Sequence, residues 1–271
     1  MRLLSLVLVG LALAATASAQ TRSVHTEELT WYEIRDAMAS GTTTAIVYTG
    51  GTEQNGPHMA LAKHNVIAHY VAGQVAERLG NALVFPVLPF SPAGDVATKT
   101  GHMRLPGTVS LSPEVYVGVV RNVAQSAAAA GFTQIFLIAE HGQGLAEIEL
   151  AAQGVDAEWR ARGVRVHYVP TTAASEQTNA YFKEHGITGG GHAAVAETAQ
   201  VMFLDRNNSL IRRDQLAVSA KESQETTGVG GDPTPATAEM GRQFLEYKIE
   251  TVVNQIGVLR AQDLAEATRG R

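Results

Sequence analysis

Residues 42–51, Thr42-Thr43-Thr44-Ala45-Ile46-Val47-Tyr48-Thr49-Gly50-Gly51, run β-branched and apolar until two glycines break them. Such a run without alternation suits a strand buried on both faces, here over 42–48, that ends in a loop. Helical spacing follows over 65–79, where Ile67, Val71, Val75 and Leu79 recur every four residues on one face. The same alternation continues downstream. A strand is expected over 83–90, then a long loop from Ser91. Ser112 suits a helix cap and Pro113 the first helical position of a helix reaching Ala130. A third strand over 134–138 runs into the loop Glu140-His141-Gly142-Gln143-Gly144 and a helix over 145–162, and a fourth strand is expected over 164–169. Upstream, Thr30 and Glu33 have capping-box spacing for a helix through about Met38. Near the end, Thr234-Pro235 should open a helix running past Leu259, after an ordered Gly/Thr-rich loop over 226–237. Strands alternating with helices predict an α/β class, a single layered α/β/α domain with a mostly parallel central sheet. The loops starting at Gly50, Ser91 and Glu140 leave the carboxyl ends of the strands, where such sheets bind ligands, so they should converge.

Composition narrows the function. Of 271 residues, 45% are hydrophobic and 17% charged, enough apolar material for a core without staples. The net charge is -5 with no block of Lys or Arg, so no nucleic-acid footprint is visible and a small-molecule substrate fits better. Cysteine is absent, which excludes disulfides and thiolate chemistry; any metal must sit on His and carboxylates. At the start, Met1-Arg2, an apolar run over 3–15 and Ala17-Ser18-Ala19 before Gln20 read as a secretory signal over 1–19. The run falls short of the roughly 20 apolar residues of a membrane span. The expectation is a periplasmic or secreted mature chain over 20–271 with no membrane span.

Nine histidines are present. His58, His64, His102, His141 and His192 fall in loops or helix starts on the expected active edge; His25, His69, His167 and His185 fall on the lead, helix or strand bodies and receive no role. Glu53 follows the first strand directly, in Gly50-Gly51-Thr52-Glu53-Gln54-Asn55-Gly56-Pro57-His58. That segment resembles the creatininase family of metal-dependent amidohydrolases, whose loop reads G-S-x-E-Q-H-G-P-H-L-P-L-x-x-D. Gly101-His102 and Leu105 to Glu114 resemble the family's E-H-x-x-F-P-G-T-I-S-L-S-P-E. Gly131 to Gly144 is similar to its G-F strand and N-G-H-G-G-N loop. His192-Ala193-Ala194-Val195-Ala196-Glu197-Thr198-Ala199 parallels H-A-G-E-x-E-T-S, and Gly228 to Pro233 parallels G-V-x-G-D-P.

The resemblance implies a two-metal site, and this chain departs from it. Glu53 and His141 keep the first metal's ligands, while Asn55 stands for the family His, His64 for the bridging Asp, and Gln143 lies in an altered loop. An imidazole offers one lone pair and cannot bridge two cations as a carboxylate does. Glu53, His64 and His141 make a His₂Glu set, the three-ligand pattern of catalytic zinc and also of non-heme iron. One divalent metal per chain is therefore expected, with zinc leading and manganese, iron and nickel behind. His192 matches the residue thought to assist proton transfer in the family. Glu140 could be a supporting carboxylate, an alternative ligand or the general base. Asn55, His58, His102, Gln143 and Glu197 are candidates for lining the site or orienting its ligands. The expected activity is hydrolysis of an amide, lactam or related carbonyl C–N bond by a metal-activated water, on a substrate other than creatinine. The rivals are a non-catalytic periplasmic binding protein and a single-metal isomerase or iron oxygenase. The family also implies a homo-oligomer, a hexamer.

Overall fold

The computed structural model describes residues 23–222 and 224–269; the expected signal segment and its cleavage point at Gln20 lie outside them. Four parallel strands form the sheet: β1 (Thr44–Thr49), β2 (Ala82–Val84), β3 (Gln134–Ala139) and β4 (Arg165–Tyr168), in the order β2-β1-β3-β4. β1 pairs along its whole length with β3, Thr44 opposite Gln134 and Thr49 opposite Ala139.

Every residue of β1 is buried, because helices cover both faces. Ile46 and Tyr48 pack with α2 (Lys63–Leu79), α6 (Val195–Leu204) and α9 (Ala238–Arg269). Ala45 and Val47, on the opposite face, pack with α3 (Pro113–Ala130) and α4 (Leu145–Trp159). The period of two thus splits one apolar run between two cores. Burying each of Ile46 and Val47 stabilises the fold by about 1.5–3 kcal/mol.

The capping box is present at α1 (Trp31–Ala39), where Thr30 Oγ1 accepts from Glu33 N and Glu33 Oε2 accepts from Thr30 N. Ser112 caps α3 with Pro113 at its first position. The second strand is shorter than the sequence suggests. Pro86 and Pro89 lack the N–H a ladder needs, so regular pairing stops at Val84. Pairing continues irregularly: Phe85 N donates to Ile46 O at 2.9 Å and Leu88 N to Tyr48 O at 3.1 Å. The last helix starts at Ala238, later than Thr234, because Asp232 Oδ1 accepts from Thr234 N at 2.8 Å and holds a turn there. Helix α5 (Thr172–Glu184) has no apolar stripe that would announce it, since only Ala174 and Phe182 are buried. Two short helices, α7 (Leu216–Lys221) and α8 (Gln224–Thr227), precede α9.

After β1 the chain crosses to β2 on one side and returns to β3 on the other. The crevice between the carboxyl ends of β1 and β3 is therefore a switch point. Glu53 follows β1 into it, and Glu140 and His141 follow β3. Among the described residues no helix is long and apolar enough to cross a membrane.

Candidate metal centre

The loop after β1 folds tightly against its neighbours because it has room only for glycine. A Cβ on Gly50 would lie 2.1 Å from Asn65 Oδ1, and one on Gly51 would lie 2.9 Å from Ser91 Oγ. This brings the Glu53 carboxylate, 1% exposed, to the middle of a ring of nitrogen groups. His64 Nε2 lies 2.8 Å from Oε1 and His141 Nε2 2.5 Å from Oε2. His102 Nε2 is 3.3 Å from Oε2, His192 Nδ1 is 3.4 Å from Oε1, and Lys63 Nζ is 3.2 Å from Oε1. Burial alone would raise the Glu53 carboxyl, but the hydrogen bonds from His141 and His64 and the Lys63 ammonium outweigh it and hold it far below the usual carboxylate range. Burial pulls His64 down to about 3 and His192 to about 4, so both rings are neutral at pH 7.

Neutral rings must choose which nitrogen carries the proton, and the neighbours decide. The Gln54 carbonyl can only accept, so His192 Nε2 donates to it at 2.7 Å. His192 Nδ1 is then a bare lone pair facing a carboxylate oxygen. Two acceptors at 3.4 Å repel unless a cation or proton lies between them. The group Glu53, His102 and His141 meets the distance requirement: each offers one ligand atom, and these atoms lie within 4.8 Å of one another. The donor set is two imidazoles and a carboxylate, which suits zinc and related divalent ions. His141 and His102 now direct ring protons at Glu53, because Gln143 N donates to His141 Nδ1 at 3.0 Å and Gln54 Nε2 lies 3.1 Å from His102 Nδ1. A cation entering here replaces those protons, so its uptake is coupled to proton release or a tautomer shift.

His102 thus joins Glu53 and His141 in the converging group, where the sequence suggested His64. It arrives on a 3₁₀ turn, Gly101–Arg104, within the long loop after Ser91. His64 sits on the other carboxylate oxygen, and its buried Nδ1 has no hydrogen-bond partner among the described residues. Asn55 Nδ2 donates to Glu53 O at 3.0 Å and Ala60 O at 2.9 Å, closing the loop, while its buried Oδ1 has no hydrogen-bond partner among the described residues. His58 stands outside the centre. Its Nε2 faces Thr198 Oγ1 at 3.0 Å and its Nδ1 faces Ser219 Oγ at 2.8 Å, with burial lowering its pKa to about 4, so it ties the loop to α6 and α7.

Glu53, His64, His102, His141 and His192 form the floor of a cleft of about 440 Å³. Glu140 and Lys248, paired with each other, stand on its wall, and Tyr48 Oη donates to Glu140 Oε2 at 3.2 Å. Exposed Gln143 lines the cleft beside His141, and Glu197 lines it from α6. Burial would raise Glu197, but the charges of Lys63, His64 and His192 outweigh it and hold it at about 2. Three residues of this centre were not among the sequence candidates: Lys63, Lys248 and Gln54. The last donates from its side chain to Gly228 O at 3.2 Å as well as facing His102, and its backbone carbonyl fixes His192.

The creatininase family model, described as creatinine amidohydrolase, matches residues 27–256. The creatinine amidohydrolase of Pseudomonas putida is 31% identical over 121 residues, covering 45% of this chain and 46% of that protein. A mycofactocin precursor peptide peptidase of Mycobacterium tuberculosis is 26% identical over 223 residues, 81% of this chain and 86% of that one. A creatinine amidohydrolase crystal structure superposes with a TM-score of 0.72 at 23% identity over 88% of this chain and 98% of that chain. A manganese creatininase gives 0.72 at 23% identity over 86% and 97%. At that identity the structures establish the shared fold, and the family match across most of the sequence establishes descent: this chain belongs to the creatininase family.

Proposed function

We propose that this protein is a metal-dependent hydrolase of an amide C–N bond, exported from the cytoplasm, with one divalent ion at the Glu53 centre. The observation that carries the reading is the buried Glu53 carboxylate encircled by imidazoles at the floor of a polar cleft. Glu53, His102 and His141 would hold the ion, zinc before manganese, iron or nickel. A divalent ion there supplies Lewis acidity and lowers the pKa of a water from 15.7 to roughly 7.

The protein's own groups do the rest. Neutral His192 would take at Nδ1 the proton of the water whose oxygen adds to the amide carbonyl carbon, and the Gln54 carbonyl on its Nε2–H steadies the imidazolium that forms. The same nitrogen then returns the proton to the leaving amine. Lys248, held by Glu140, offers N–H donors to a substrate oxygen from the cleft wall. Ser175, Thr178, Asn179 and Gln200 supply hydroxyl and amide groups of the kind that bind a peptide-like amide. The cleft volume falls in the usual range of about 300–1,000 Å³ for small-molecule sites. The match to the mycobacterial peptidases along most of the chain supports a peptide-like substrate.

The test is metal analysis of the purified protein followed by a mass-spectrometric screen against peptide amides and lactams. Hydrolysis lost on chelation and restored by Zn²⁺ or Mn²⁺ is expected; a protein that takes up no divalent ion would overturn the reading. Export rests on the apolar run over 3–15 and the Ala17-Ser18-Ala19 site. It predicts a mature chain starting at Gln20 by N-terminal sequencing, and an intact Met1 would refute it. A homo-oligomeric mass by light scattering is the corresponding expectation for assembly, and a monomer at micromolar concentration would refute that.

A further inference from the structure

The least expected group in the centre is an ammonium. Lys63 opens α2 and its side chain is completely buried. Its Nζ lies 3.2 Å from Glu53 Oε1 and 2.5 Å from Glu197 Oε2, so one cation bridges the carboxylate of the metal group and the carboxylate of the cleft wall. Glu197 Oε2 also accepts from Ala193 N at 2.6 Å, which fixes it at the start of α6. A buried lysine is costly unless its charge is met, and here two carboxylates meet it.

The surrounding donors agree with a seat already taken. Asn55 and His64, which stand where the resemblance places a second ion's ligands, offer an amide and an imidazole where the family has an imidazole and a bridging carboxylate, so they bring no anion that would call for a second metal charge. The charge balance agrees too. Glu53 and Glu197 against Lys63 and one divalent ion leave a single positive charge in excess, whereas a second divalent ion would leave three in a buried site. We propose that the Lys63 ammonium is a built-in cation occupying the place of a second metal, so that Glu53 and Glu197 are neutralised by the chain itself and the centre takes one divalent ion. This rests on the metal-dependent reading above and assigns Lys63 the role of a positioning residue.

Zn²⁺ stoichiometry separates this role from a merely structural ion pair. Stripped protein is equilibrated with excess Zn²⁺, freed of unbound metal and measured by plasma mass spectrometry. The expected result is one zinc per chain for the parent protein and two for Lys63→Ala, where Glu53 and Glu197 face each other without a cation. Asn55→His, with Lys63 retained, should stay at one although it restores a strong donor. A folded Lys63→Ala protein that still holds one zinc overturns the proposal, as does Asn55→His rising to two or a parent protein holding two. Should Lys63→Ala fail to fold, the Asn55→His count decides alone. A parent protein that binds no zinc defeats the metal-dependent reading itself, an outcome distinct from the other failures.

Discussion

Replacing Glu53 by Gln keeps the side chain's shape and removes its charge, and the consequences can be worked through the contacts. Both carboxylate oxygens are in use, Oε1 toward His64, Lys63 and His192 and Oε2 toward His141 and His102. Among the described residues no other carboxylate belongs to the converging group. Removing a supporting group around a metal costs about 10–100-fold in affinity, so loss of the only anionic ligand should cost at least about 100-fold. At Zn²⁺ about 1,000 times the parent Kd, binding stabilises the folded chain by about 4.1 kcal/mol. A 100-fold weaker variant at the same Zn²⁺ retains about 1.4 kcal/mol. For a chain of this size each kcal/mol moves Tm by about 2–4 °C, so the zinc-induced rise should fall from about 8–16 °C to about 3–6 °C. The stripped variant should itself be less stable by about 1–3 kcal/mol, because the Gln amide presents N–H groups to one of the two donors, His141 or His64, and only a neutral oxygen to the other. Thermal unfolding with and without Zn²⁺ measures both quantities. An undiminished zinc-induced rise in Glu53→Gln would show that the ion sits elsewhere.

Three further outcomes are expected. His192→Ala should keep one zinc per chain and slow hydrolysis by about 10²–10⁴-fold, read on whichever amide the screen yields; unchanged turnover would remove His192 from the reaction. His58→Ala should leave metal content unchanged but destabilise the protein by about 2–5 kcal/mol, since it empties a buried site and strands the hydroxyls of Thr198 and Ser219; altered zinc content at unchanged stability would reverse that assignment. Burial would raise the Asp156 carboxyl, but the Val166 N–H and the Arg160 guanidinium outweigh it and hold it below the usual range. A depressed carboxyl stabilises the fold above its unfolded pKa of about 3.9 and loses that contribution as pH falls through the folded value. Asp156→Asn should therefore cost about 1–3 kcal/mol at pH 7 and progressively less below about pH 4, by denaturant unfolding. A gap that does not change with pH would contradict this.

The parallel sheet was legible because a strand buried on both faces leaves an unbroken apolar run, as in β1, and an amphipathic crossover leaves a four-residue period, as in α2. Helix α5 was not, since a helix with two buried residues carries almost no periodic signal. Glu53 and His141 could be placed because each follows a strand closely. The convergence of His102 on Glu53 and His141 could not be read, because its position depends on how the long loop before α3 doubles back. Lys63 and Lys248 did leave a trace. The α2 row Ile67, Val71, Val75 extends backward by one step to Lys63, and the α9 row Met240, Phe244, Val252, Ile256 is interrupted at Lys248. A lysine in an otherwise apolar row must either reach water with its head or end on a carboxylate. Here both end on carboxylates, Glu53 and Glu140, that follow the adjacent strands β1 and β3. Two interruptions in rows from helices far apart in sequence thus mark the same end of the sheet, which is where the candidate metal group and the cleft are found.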